Sequence, residues 1–126
     1  MSSAAALPRV SASLVIGPTA GAREQLVAAR LASGAPACVA VLLEGLPDGS
    51  NILLPSPILL IERIAPGCLC CTGNLVLRVT LNRLLRRRPE RIYIGLASTG
   101  HLDQLRSWLR QAPYDQLLEL TPDLHT

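Results

Sequence analysis

The chain has 126 residues, of which 49% are hydrophobic, and its only aromatic residues are one Trp and two Tyr. That is enough for one domain around an aliphatic core and excludes a disordered chain. The net charge of +3 rests on twelve arginines with no lysine, and no apolar run approaches the ~20 residues that a membrane helix needs.

Residues 1–8, MSSAAALP, lack the basic start of a secretory signal and read as a frayed tail ahead of a single domain over 9–126. The expected compartment is the cytoplasm, where thiols stay reduced. RVSASLVIG (9–17) is β-rich and predicts a first strand, and AREQLVAARLASG (22–34) predicts a helix closed by Gly34. PACVAVLLE (36–44) is apolar almost throughout, as buried strands are, with Cys38 as a core thiol. A turn-rich loop (45–51) leads to a third strand over 55–65. Asn74 is a plausible N-cap for a helix over 74–88, whose Leu77, Leu81, Leu84 and Leu85 share one face before Pro89 stops it. Arg86, Arg87 and Arg88 read as its solvated last turn, since no aromatic residues interleave for base stacking; neither nucleic acid nor a membrane is an expected partner. RIYIGLA (91–97) predicts a fourth strand, HLDQLRSWLRQ (101–111) a third helix, and YDQLLEL (114–120) a fifth strand. On that third helix Trp108 reads as packing or partner contact, and Asp103, Arg106 and Arg110 as surface pairs.

This alternation implies an α/β fold, with a mainly parallel five-stranded sheet and helices on both faces. Ligands of such sheets bind outside the carboxyl ends of the strands. Three loops fall there: 17–22, 66–73 and 97–101.

GPTAGARE (17–24) follows a strand and opens a helix, where a P-loop would read G-x-x-x-x-G-K-[ST]. Gly17 fits the first glycine; Ala22, Arg23 and Glu24 replace the second Gly, the Lys and the Ser/Thr. Gly21 partly compensates for Ala22, and Arg23 keeps a positive charge as a bulky fork rather than a compact point. Gly17, Gly21 and Arg23 are therefore the candidate nucleotide contacts. Glu24 puts a carboxylate where a hydroxyl should meet Mg²⁺, so GTP with Mg²⁺ is disfavoured.

The other loop with chemistry is APGCLCCTGNL (65–75), which gathers Cys68, Cys70 and Cys71 in four positions. Three such thiolates can hold Zn²⁺ or another thiophilic divalent metal, and His101 is the best candidate for a fourth ligand, ahead of Glu44 and Glu62. Packed reduced thiols are the alternative. A redox role fits less well, because there is no C-x-x-C and a bridge between neighbours 70 and 71 would be strained.

The run GCLCCTGNLVLRVTLNRLL closely resembles the G-C-x-C-C-T segment and following helix of the CobW-type GTPases, relatives of the HypB and UreG metal-insertion proteins. The resemblance implies a P-loop-NTPase-like half domain, GTP and Mg²⁺ chemistry, delivery of metals such as zinc or cobalt, and metal ligation by Cys68, Cys70 and Cys71. IGLASTGHL (94–102) lines up with the family's I-E-x-[ST]-G-L-x-[DH]-P, with Gly95 where the acidic residue belongs, and Asp123 falls near a family Asp. With the P-loop Lys, the Ser/Thr and that acid all missing, the expectation is a degenerate, non-hydrolysing, metal-binding or metal-trafficking accessory protein. The alternatives are a weak GTP-binding protein in which Arg23 replaces the Lys, or a metal-free scaffold. An open sheet has bare edges, so a homodimer or a metal-handling protein partner is expected.

Overall fold

A computed structural model of the chain describes residues 9–34, 38–45, 52–64, 75–97, 100 and 102–125. The elements run β1 (Val10–Ile16), α1 (Ala20–Ala32), β2 (Val39–Glu44), β3 (Leu59–Ile64), α2 (Leu75–Arg86), β4 (Arg91–Leu96), α3 (Leu102–Leu109), α4 (Tyr114–Leu117), β5 (Leu118–Leu120) and β6 (Leu124–His125). The sheet has the order β3-β2-β4-β1-β5, with β6 also on β1, and every pairing is parallel.

Strand side chains alternate between two cores, as a period of two requires. Ala12, Leu14, Ala40, Leu42, Ile92 and Ile94 pack with Leu77, Leu81 and Leu84 of α2 and Leu105 and Leu109 of α3. Val15, Val39, Val41, Leu43 and Tyr93 face the other way, onto Val27 of α1. Helices therefore cover both faces, which is why the central strands are mostly apolar, with Ser11 and Ser13 of β1 and charges at the ends of β2 and β4 as exceptions.

The expected α/β fold is present, with local differences. α1 starts two residues earlier than its composition suggests, because the Thr19 hydroxyl accepts from the Ala22 N–H at 3.0 Å and caps the helix. The predicted fifth strand splits. Tyr114–Leu117 is helical instead, since Tyr114 packs at a tilt against Trp108, with centroids 4.7 Å apart, and donates to Asn82 Oδ1 at 2.8 Å. Only Leu118–Leu120 pairs with Val10–Ala12, and the chain rejoins β1 as β6, adding a sixth strand. Cys38 is half-buried just ahead of β2, not a core thiol in mid-strand. Arg106 reaches past Asp103 to Asp123, tying α3 to the segment between β5 and β6. The face of α2 is as expected, with Leu77, Leu81 and Leu84 buried and Leu85 partly so. No helix among the described residues is long and apolar enough to cross a membrane. The Asn74 cap and the tail over 1–8 lie outside the described residues.

Candidate functional site

The carboxyl ends of β1, β2, β3 and β4 line one edge of the sheet. The connections diverge between β1 and β4: α1 leaves β1 across one face toward β2, and α3 leaves β4 across the other toward β5. Such a divergence opens the crevice in which ligands of parallel sheets sit. The first turns of α1 stand over it.

Only Gly17, Pro18 and Thr19 separate β1 from α1. Residues 20–24 are already helical, so Ala22, Arg23 and Glu24 project from the first turns rather than from a loop that could wrap a phosphate. Arg23 and Glu24 are 5% and 2% exposed, unusual for charged residues so near a helix start. Arg23 turns inward, and its Nη1 donates to the Gly17 carbonyl at 2.7 Å. Glu24 accepts two hydrogen bonds from Arg63 at the end of β3, at 3.1 and 3.2 Å. Glu44, the last residue of β2 and 7% exposed, accepts from the Ala97 N–H at 2.8 Å and so fixes the chain just beyond β4.

Register explains why these groups meet. Leu43 stands beside Arg63 on one side and Gly95 on the other, and Gly95 stands beside Val15. These residues form one row across the sheet on the α1 face. Gly95 has no side chain in that row because Leu43 already fills the space: a Cβ there would lie 2.9 Å from Leu43 Cδ2, too close for two carbons, and 4.0 Å from Arg23 Cδ. The Arg23 stem passes beside Gly95 at ordinary contact distance. Burial lowers the Arg23 pKa from its ordinary value, while the charges of Glu44 and Glu24 act to raise it.

These residues do not fit a Mg²⁺–triphosphate group. The position of the metal-binding hydroxyl carries a carboxylate already committed to Arg63, the compact ammonium is replaced by a fork bonded to a loop carbonyl, and the loop is three residues long. Gly17, Gly21 and Arg23, named from sequence as nucleotide contacts, lie respectively at the end of β1 and in the first turns of α1.

Cys68, Cys70, Cys71 and His101 lie outside the described residues. Their flanks are described: the chain leaves β3 at Ile64 and re-enters α2 at Leu75, and residues 98–101 follow Ala97 after β4. Both flanks belong to this edge. The two poorer ligand candidates are engaged: Glu62 pairs with Arg83 at 2.9 Å, and Glu44 holds Ala97. Among the described residues, no three His, Cys, Asp or Glu side chains converge on a metal position. The sequence reading missed Arg63 and the role of Glu44. The available signal was charge at the end of otherwise apolar strands: Glu44 closing β2, and Glu62 and Arg63 near the end of β3.

Over 66 residues, 52% of its length, the chain is 35% identical to the zinc chaperone YeiR of Escherichia coli (strain K12). That stretch makes up 20% of the chaperone, so the chain spans about one fifth of the relative it matches. No family profile matches the chain, and no solved structure matches it. The partial identity supports a CobW-like relationship over the shared stretch.

Proposed function

We propose that the chain is a non-hydrolysing, metal-trafficking accessory protein that holds zinc, or another thiophilic divalent cation, on Cys68, Cys70 and Cys71, with His101 as the candidate fourth ligand. The observation that carries this reading is the partial identity to a zinc chaperone. The chemistry agrees with it: clustered thiolates form a soft donor set that prefers zinc-like cations to the hard oxygen-seeking ions. The fold supports it as well. The cysteine segment joins β3 to α2, and residues 98–101 follow β4, so the two ligand-bearing stretches are tethered to one edge of the sheet. Without competent GTPase parts, the ion would be passed on by ligand exchange with a metal-handling partner or a second copy of this chain. The outer edge of β3, whose only strand neighbour among the described residues is β2, is a candidate contact for either.

The test is elemental analysis of protein purified without chelator, wild type beside a Cys70→Ser, Cys71→Ser variant. Near-stoichiometric zinc in the wild type and its loss in the variant are expected. Equal metal content in the two would retire the metal reading.

A further inference from the structure

We infer that the crevice under α1 is a cation pocket whose occupant is built in: the Arg23 guanidinium fills the place that a phosphate group would take over the ends of β1, β2 and β4. This goes beyond the proposed metal function and does not rest on the cysteines.

The lining has the wrong polarity for a phosphate and the right polarity for a guanidinium. A phosphate cradle offers N–H donors and cations. Here the groups that act on the Arg23 head are acceptors: the Gly17 carbonyl, 2.7 Å from Arg23 Nη1, and the carboxylates of Glu44 and Glu24, whose charges act on Arg23. Two glycines border the side chain. Gly45 turns away from the end of β2 at φ +112°, and a Cβ on it would lie 3.9 Å from Arg23 Nη2. Gly95 borders the stem, with a would-be Cβ 4.0 Å from Arg23 Cδ. Arg63 neutralises Glu24 from the β3 side, so two arginines and two glutamates balance. Among the described residues no buried side-chain polar atom lacks a partner. A polyanion entering this pocket would have to expel the guanidinium and then face two carboxylates in a site shielded from water, where like charges repel strongly. The edge from which residues 65–74 depart is therefore fixed by the chain's own side chains, and its conformation does not answer to a nucleotide.

The experiment is chemical rescue. Thermal unfolding is followed for the full chain and for Arg23→Ala, each alone, with millimolar ethylguanidinium, with ethylammonium, and with GTP plus Mg²⁺. Arg23→Ala should melt well below wild type, ethylguanidinium should recover most of that shift, and ethylammonium should recover less, because it lacks the planar fork. GTP with Mg²⁺ should shift neither protein. An unchanged melting temperature in Arg23→Ala, or no recovery with ethylguanidinium, overturns the inference. Should Arg23→Ala fail to fold, the wild type decides alone: saturable, Mg²⁺-dependent binding of a fluorescent GTP analogue overturns it, and no binding up to millimolar nucleotide supports it.

Discussion

Replacing Arg63 with Met tests the charge arrangement most directly. Arg63 closes a two-pronged pair on Glu24, with a side chain 24% exposed against 3% for its partner. Met keeps much of the stem's volume and removes both hydrogen bonds, leaving a buried carboxylate on which the charge of Arg23 still acts. Breaking a buried pair by deleting one partner costs about 3–5 kcal/mol. The partial exposure of Arg63 and the help from Arg23 place this case at the low end, about 3 kcal/mol. For a domain of this size that is a fall of about 12 °C in melting temperature, at about 4 °C per kcal/mol. A second step isolates the pair. Glu24→Leu with Arg63→Met removes both charges together and should regain most of the loss, because the expense lies in the stranded carboxylate rather than in the missing attraction. Urea unfolding at neutral pH of the two single variants and the double one completes the cycle. An Arg63→Met variant within 0.5 kcal/mol of wild type, or a double variant as unstable as the sum of the singles, would refute the reasoning.

Leu81→Ala, at a fully buried position of α2, should cost about 3 kcal/mol in urea unfolding, whereas Val79→Ala, 43% exposed on the same helix, should stay within about 0.5 kcal/mol of wild type. Tyr114 gives a pH dependence. Burial raises its phenol above the usual 10.0, outweighing the charge of Arg78 that acts to lower it. The protonated phenol is thus favoured in the folded state, so its contribution is complete below pH 10 and is lost as pH climbs through the raised value. Tyr114→Phe should lose about 1 kcal/mol at neutral pH with the hydrogen bond, yet show a smaller decline than wild type in denaturant titrations above pH 10.

The layered fold was legible because its cores are binary. Runs such as VAVLL in β2 have apolar residues on both faces, and the leucines of α2 recur at helical spacing, so element type and order followed from these patterns together with the Gly34 and Pro89 stops. The C-terminal segment was not legible. YDQLLEL alternates well enough for a strand, and only the docking of Tyr114 on Trp108 and on Asn82, which lies 32 positions away in sequence, turns its first half into a helix. The candidate site divides in the same way. The odd chemistry of residues 22–24 was plain from the missing Gly, Lys and Ser/Thr. The partner of Glu24 was not, because Arg63 lies 39 positions away and reaches it only through the register of β2 against β3.

β1 never pairs with the strand that follows it. Its neighbours are β4 on one side and the two C-terminal strands on the other: Ser11 stands beside Arg91, and the Ser13 and Thr121 hydroxyls that meet there are 108 positions apart. During synthesis, at roughly 5–20 residues per second, both of its backbone edges wait seconds for chain that has not yet left the ribosome. Through that interval SLVI is an apolar template open to any passing strand, so the newborn chain depends on a holding factor or on rapid collapse onto α1 to escape aggregation.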